Sequence, residues 1–170
     1  NIMFSSDDRA IFICCKRMIK VWRPHLDDTN DDSLSTLWRH EDENIKFALS
    51  HDNSMIVTSN MSASEITVWS IDNDHKRLTQ KSNLPRSVQS ATVLHFTSDD
   101  RQIVLHDKKG ELKFWSIDEE TFTNTVNISY NNGNNTNNDL IIISFSPNNR
   151  HLIVWDRHRT SRGFYITSFL

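Results

Sequence analysis

The segment FSSDDRAIF at residues 4–12 recurs almost unchanged as FTSDDRQIV at residues 96–104. Two markers repeat along the whole chain, a phenylalanine before a polar turn and a tryptophan that ends an alternating segment. The phenylalanine markers are Phe4, Phe47, Phe96 and Phe145, and the tryptophan markers are Trp22, Trp69 and Trp115. Successive markers are 43 to 49 residues apart. A fixed period of this length indicates a repeat architecture.

Each repeat reads as a series of short strands. The segments MIKVW, EITVW and ELKFW alternate apolar and polar residues, which is typical of strands with one buried face. With only 3 glycines in the chain, the turns must rely on Asp, Asn, Ser and Pro. We therefore predict an all-β chain with four strands per repeat. Fourth strands are predicted at residues 34–39, 77–84 and 121–129, and the last repeat is predicted from residue 140 to a third strand at 163–170.

These repeats resemble the WD-repeat family of β-propellers, whose units carry four strands and a tryptophan closing the third. The resemblance is fullest over FTSDDRQIVLHDKKGELKFWSID, residues 96–118. It implies an all-β, WD40-like β-propeller with about four antiparallel four-stranded blades, at about residues 1–40, 41–85, 86–130 and 138–170. The chain starts at Asn1 rather than Met, and fewer than four complete blades do not easily close a ring. We therefore expect a partial propeller.

One feature of that family is missing from these repeats. The family places an Asp six residues before the tryptophan, where this chain has Lys16, Ala63 and Lys109. The Asp-His-Ser-Trp hydrogen-bond network of the family is therefore predicted to be absent.

Paired acids in the first turn of each repeat suggest two interpretations. Two carboxylates at a suitable separation can act as a general acid and base in glycoside hydrolysis. A turn instead needs short side chains that bond their own backbone, and Asn serves there as well as Asp. The pairs are Asp7–Asp8, Asp52–Asn53, Asp99–Asp100 and Asn148–Asn149. Because the fourth pair contains no acid, we predict a structural role for all four.

No other motif points to catalysis. The sequence contains no nucleophile elbow, no phosphate-binding glycine loop and no H-E-x-x-H segment. The 8 histidines lack ligand spacing with Cys or carboxylate partners. Cys14 and Cys15 lie in an apolar run and are predicted to be buried, reduced thiols. We predict a chain that is not an enzyme, with no catalytic, cofactor or metal site; a propeller hydrolase is the remote alternative.

Charge is predicted to separate by face. The net charge of −3 and the lack of a long apolar run favour a soluble, intracellular protein without a membrane partner. The predicted turns between second and third strands form a basic face, made of Lys16, Arg17, Lys108, Lys109, Arg157, Arg159 and Arg162. The Asp pairs lie on the opposite side. Such a face suits an acidic partner or RNA phosphates, and the alternative is that the charges serve only solubility.

A narrower resemblance concerns residues 43–118. The segment SEITVWSIDNDHKRL and the basic residues after it are similar to the C-terminal propeller of cirhin-type proteins, subunits of the small-subunit processome. The resemblance implies a non-catalytic scaffold of ribosome biogenesis in the nucleolus. Its implied partners are other proteins of a multisubunit complex, and pre-rRNA at the basic face, with no small-molecule substrate. A cytoplasmic or nuclear interaction adaptor, in trafficking or ubiquitin targeting, stays open as the alternative.

Overall fold

The computed structural model describes residues 2–15, 17–23, 34–41, 45–60, 65–72, 77–85, 93–106, 111–127, 140–148, 150–156 and 164–168. These residues form fifteen β-strands. The first eight are β1 Ile2–Phe4, β2 Ile11–Cys15, β3 Met18–Trp22, β4 Leu34–Arg39, β5 Ile45–Leu49, β6 Met55–Asn60, β7 Glu65–Ile71 and β8 Leu78–Asn83. The others are β9 Val93–Phe96, β10 Gln102–His106, β11 Glu111–Ser116, β12 Thr121–Asn127, β13 Leu140–Phe145, β14 His151–Asp156 and β15 Phe164–Ser168.

The strands pair into four antiparallel sheets, each in simple chain order. Sheet 1 contains β1 to β4, sheet 2 contains β5 to β8, sheet 3 contains β9 to β12, and sheet 4 contains β13 to β15. The chain divides into two compact units, Asn1–Gln89 with sheets 1 and 2, and Ser90–Leu170 with sheets 3 and 4. Across the part of the chain that is described, no helix has the length and apolarity that a membrane crossing requires.

The core of the first unit lies between sheets 1 and 2. Phe12, Ile19 and Val21 are fully buried on one face of sheet 1 and belong to one apolar cluster with Leu49 and Ile56 of sheet 2. The strand alternation that the sequence shows places these side chains on facing surfaces. Burying each of them is worth about 1.5–3 kcal/mol, so this contact is the main reason the two sheets stay together.

The second unit repeats this packing. Val104, Leu112 and Phe114 on sheet 3 pack with Leu152 on sheet 4. Val104 follows the turn residue Thr97 by the same number of positions as Phe12 follows Ser5. Leu152 likewise follows Ser146 by the same number of positions as Ile56 follows Ser50. Equivalent faces therefore meet in both units.

The structure corrects the register of the phenylalanine marker in sheet 2. Ser5 donates its backbone N–H to the carbonyl of Ala10, and Ser50 donates in the same way to Met55. The residue before Ser50 is Leu49, which therefore occupies the position of Phe4. The spacing of the shared turns is 45, 47 and 49 residues, measured at Ser5, Ser50, Thr97 and Ser146. Phe47 lies two residues earlier and is buried on the same face of the strand.

One face of sheet 1 is apolar and exposed. Cross-strand partners share a face, and Phe4 pairs with Ile11, which pairs with Trp22. This open face includes the exposed side chains of Ile2, Phe4 and Leu34 and the partly buried ones of Ile11, Ile13, Lys20 and Trp22. Phe4 is 68% exposed, whereas the equivalent Leu49 is 7% exposed because sheet 1 covers it. The same repeat position is thus part of the core in sheet 2 and part of the surface in sheet 1.

Candidate binding surfaces

The predicted Asp pairs lie in four turns with one shared hydrogen-bond pattern. In each turn a Ser or Thr donates its backbone N–H to the carbonyl of the residue five positions later, at 2.9 Å. Its hydroxyl oxygen accepts the backbone N–H of that same residue, at 2.8 to 3.1 Å. The pairs are Ser5 with Ala10, Ser50 with Met55, Thr97 with Gln102 and Ser146 with His151. The hydroxyl therefore closes the end of the two-strand ladder.

The first residue of each Asp pair stabilises the turn. Asp7, Asp52, Asp99 and Asn148 each accept the backbone N–H two residues later, at 2.9 to 3.2 Å. Asp52, Asp99 and Asn148 also accept the hydroxyl of the turn's Ser or Thr, at 2.7 to 2.8 Å. Asn148 makes the same bonds with an amide oxygen, which agrees with the structural interpretation of the pairs.

The second residue of the pair adopts a left-handed backbone in the first three turns. The φ angles are 59° at Asp8, 62° at Asn53 and 57° at Asp100. Asp and Asn tolerate this region better than other non-glycine residues, which explains their recurrence in a chain with few glycines.

The hydrogen bonds of the turn favour the ionised form of its acid. Partial burial alone would raise the pKa of Asp52, but the bonds from Ser50 and Ser54 outweigh it and hold that pKa below its ordinary value. At Asp99, burial is likewise outweighed by bonds from Thr97 and from the backbone of Arg101, so its pKa is also lowered. Both acids are therefore anions at neutral pH, which is the form that accepts these hydrogen bonds. A general acid needs a raised pKa, and the pKa of neither Asp52 nor Asp99 is raised.

Neighbouring turns are joined by side chains within each unit. Asn53 accepts the backbone N–H of Ser6 at 2.9 Å and donates its amide to the Ser6 hydroxyl at 2.8 Å. In the second unit the Ser98 hydroxyl donates to the carbonyl of Ser146 at 3.0 Å. Ser6 and Ser98 occupy the same turn position. The turns at this end of each unit are therefore fixed to one another as well as internally.

The predicted basic face falls mostly outside the described residues. Lys16, Lys108, Lys109, Arg157, Arg159 and Arg162 all lie there. Arg17 is described and exposed, and its backbone carbonyl accepts the N–H of His40 at 2.7 Å. This bond ties the turn between β2 and β3 to the end of β4. The basic face stays a prediction.

A pocket that the sequence analysis did not predict lies between sheets 1 and 2. Its volume is about 430 Å³. We call it the Trp38 pocket, and its walls are formed by Trp38, His40, Thr58, Asn60, Glu65, Ile66, Thr67, Trp69, Gln80, Asn83, Leu84 and Pro85. It opens where β4, β6 and β8 end and β7 begins. This is the end of the sheets where the β2–β3 turn with Arg17 lies, opposite the Asp turns.

Two tryptophans form the aromatic wall of the pocket. The rings of Trp38 and Trp69 meet edge to face, with centroids 5.8 Å apart and planes at 60°. Trp38 also stacks on His40, with centroids 5.3 Å apart and planes at 27°. The Nε1–H of Trp69 donates to the Thr58 hydroxyl at 2.9 Å. These contacts hold both indoles in position.

A β-bulge places Trp38 in this wall. In sheets 2 and 3 the pairing of the last two strands shifts just before the marker tryptophan, between Val68 and Trp69 and between Phe114 and Trp115. In sheet 1 the shift comes earlier, between Ile19 and Lys20, so that Trp38 pairs with the buried Ile19. Trp38 therefore lies on the face that packs against sheet 2. A bulge of this kind commonly reorients a side chain beside a site.

The bond from Trp69 to Thr58 is one bond of the Asp-His-Ser-Trp network, and it is present in sheet 2. The absence of the complete network stays a prediction. In sheet 3, Leu105 occupies the position of Thr58, and the buried Nε1 of Trp115 has no hydrogen-bond partner in the described part of the chain. Among the described residues, the tryptophan is therefore hydrogen-bonded in sheet 2, where the sequence supplies the hydroxyl, and not in sheet 3, where it supplies a leucine.

The two cysteines differ. Cys14 is half-buried beside the core of the first unit, and its thiol lies 3.5 Å from the carbonyl oxygen of Ile45. Burial raises the pKa of the Cys14 thiol. Cys15 is exposed, so the prediction that both thiols are buried is wrong for Cys15. Alternation along β2 explains the difference, because adjacent residues face opposite sides of the sheet.

Among the described residues, no group of three or more His, Cys, Asp or Glu side chains is arranged to hold a metal ion.

The comparisons with known proteins define the fold. The sequence matches no protein-family model and no curated protein. Among solved structures it is similar to the β-propeller domain of Cps50 (Swd1) from Myceliophteria thermophila, with a TM-score of 0.74 and 11% sequence identity. The match covers 100% of this chain and 53% of that chain, so this chain spans about half the length of that domain. The predicted WD40-like β-propeller fold is thereby confirmed.

Proposed function

We propose that this chain is a non-catalytic scaffold of the WD-repeat type, which presents its turns to protein partners in a multisubunit complex. The observation that supports it is the β-propeller fold, whose Asp turns are braced by side-chain hydrogen bonds. Asn53 and Ser6 further couple the turns of adjacent sheets. Rigid turns lose little conformational freedom on binding, so they suit a docking surface.

We further propose that the complex belongs to small-subunit ribosome biogenesis and that the protein is nuclear and nucleolar. The support is the resemblance of residues 43–118 to cirhin-type propellers, through SEITVWSIDNDHKRL. Residues of β7 and β8 come from this stretch, and they form part of sheet 2. The proposed partners are proteins of the complex, with pre-rRNA at the predicted basic face.

Depletion and localisation test this proposal together. Nucleolar enrichment of the protein, its co-sedimentation with small-subunit precursor particles, and a loss of 18S rRNA precursor processing on depletion are the expected results. A cytoplasmic location with normal processing would overturn the ribosomal assignment and favour an interaction adaptor.

RNA crosslinking tests the basic face separately. The double variant Lys108→Glu/Lys109→Glu should lower crosslinking to pre-rRNA, because two phosphate-binding charges are reversed. Arg101→Glu is a matched control, since Arg101 is exposed in the Asp turn of the same sheet. Crosslinking that is equal in wild type and in the double variant would leave those lysines as solvated turn residues.

A further inference from the structure

The residues that line the Trp38 pocket suit a positively charged ligand. Of the described residues that line it, Glu65 is the one acid, and no lysine or arginine lies among them. Glu65 is exposed at the start of β7. A carboxylate beside a pocket whose other described lining residues include no lysine or arginine lowers the energy of a positive group that enters it.

The aromatic wall adds a second attraction for positive charge. Indole rings carry negative charge density on their faces, and tryptophan is the strongest of the aromatic residues in binding cations. Trp38 and Trp69 both line the pocket, and their ring planes meet at 60°.

The aromatic walls are fixed without a ligand. Trp69 is held by its hydrogen bond to Thr58, and Trp38 by stacking on His40 and by the bulge in β4. A ligand that enters does not have to order these side chains, which reduces the entropic cost of binding.

Size and polarity distinguish between the possible cations. A volume of about 430 Å³ exceeds a single ammonium group and falls in the range of small-ligand sites. Gln80 and Asn83 supply amide oxygens along the same wall. A guanidinium group is planar, carries five donors and stacks on aromatic faces, so it uses the indoles, the carboxylate and the amides together. An ammonium group uses them less completely.

We propose that the Trp38 pocket binds an arginine side chain in a peptide segment of a partner protein. The proposal rests on the proposed function, since it names the chemistry of one partner contact of the scaffold. The ligand is a positively charged segment, opposite in sign to the acidic partner or RNA expected at the predicted basic face.

Titration calorimetry with short synthetic peptides tests the proposal. Three capped pentapeptides would differ only at the centre, with arginine, lysine or the uncharged isostere citrulline. We expect the arginine peptide to bind with a Kd on the order of 1 mM or tighter, and the citrulline peptide about tenfold more weakly. Binding should weaken as salt is added. Equal affinities for arginine and citrulline peptides, or no binding of the arginine peptide at 10 mM, roughly ten times that Kd, would overturn the proposal.

Two variants locate the binding site. Glu65→Gln should weaken binding of the arginine peptide about two- to fivefold and remove most of its salt dependence. Trp38→Leu should weaken it about threefold or more. Glu41→Gln and Trp22→Leu are the matched controls, because both residues belong to sheet 1 or its flank and lie outside the pocket. Unchanged affinity in Glu65→Gln, which removes an exposed charge without disturbing the core, would overturn the assignment to this pocket.

The two proposals fail separately. A wild-type chain that ignores the peptides but co-sediments with precursor particles would overturn the arginine site alone. A chain that binds the arginine peptide through Glu65 but remains cytoplasmic, with normal rRNA processing, would overturn the ribosomal assignment alone.

Discussion

Asn53 and Ser6 exchange two hydrogen bonds across the boundary between sheets 1 and 2, at 2.9 and 2.8 Å. Asn53 is 9% exposed and has a φ of 62°, while Asp8 holds the equivalent place in sheet 1 with a φ of 59° and an exposed side chain. The same backbone geometry therefore occurs with the two hydrogen bonds to Ser6, at Asn53, and without them, at Asp8. A comparison of Asn53 with Asp8 isolates what these two bonds between turns contribute to stability.

The first prediction uses that pair. Glycine accepts a positive φ without strain, so Asn53→Gly removes both bonds and leaves the turn geometry intact. We expect a loss of about 1–2 kcal/mol in the free energy of unfolding, measured by urea denaturation. Asp8→Gly should change it by less than about 0.5 kcal/mol. Equal losses in the two variants would show that these two bonds add nothing to stability.

The second prediction concerns the anchor of Trp69. Thr58→Val keeps the shape of the side chain but leaves the indole Nε1–H without its acceptor. Because Thr58 is buried and Trp69 is partly buried, losing this hydrogen bond should cost about 0.5–1.5 kcal/mol, which urea denaturation would detect. Thr36→Val is the control, since Thr36 is exposed on β4 of the same unit. Wild-type stability in Thr58→Val would mean that water or another group replaces the threonine.

The third prediction compares equivalent positions on two faces. Leu49→Ala should cost about 2–4 kcal/mol, because Leu49 is buried between sheets 1 and 2. Phe4→Ala should cost less than about 1 kcal/mol, because Phe4 is 68% exposed. A loss for Phe4→Ala as large as that for Leu49→Ala would show that the open face of sheet 1 is covered in solution.

The fourth prediction is a pH dependence. The pKa of Asp52 is lowered from its ordinary value of 3.8, so its stabilising contribution is present above that value and is lost as pH falls through the folded-state pKa. Asp52→Asn fits the turn, as Asn148 shows in sheet 4. We expect the stability difference between wild type and Asp52→Asn to shrink between pH 7 and pH values below 3.8. A difference that stays constant over this range would contradict the assigned role of the carboxylate.

The fifth prediction concerns thiol chemistry. Thiolates react with iodoacetamide, and Cys14 is both half-buried and shifted to a higher pKa, whereas Cys15 is exposed. Mass spectrometry should therefore find Cys15 modified several-fold faster. Cys15→Ser should leave only the slow reaction, and Cys14→Ser should leave the fast one. Similar rates in the two variants would contradict the burial of Cys14.

Local chemistry explains what could be predicted from the sequence. The strand β4 begins and ends at the predicted residues, 34 and 39, because its flanks change sharply in composition. The Asp turns were predictable because every bond that defines them lies within six consecutive residues. The register of sheet 2 could not be predicted. Phe47 and Leu49 lie two residues apart on one face of β5, and the phenylalanine matches the marker of the other repeats although Leu49 occupies the marker position.

The Trp38 pocket could not be read from periodicity. It depends on a one-residue bulge opposite Ile19, and a bulge leaves no mark in the composition of a strand. The one available signal was the pair of aromatic rings at Trp38 and His40, two residues apart at the end of a strand.

The Asp turns have a consequence for how this protein can vary. Because an amide at Asn148 makes the bonds that carboxylates make at Asp7, Asp52 and Asp99, each turn can exchange a negative charge for a neutral group at little structural cost. The electrostatic potential of that surface is thus a property that evolution or a protein engineer can adjust one turn at a time, while the architecture beneath it stays constant.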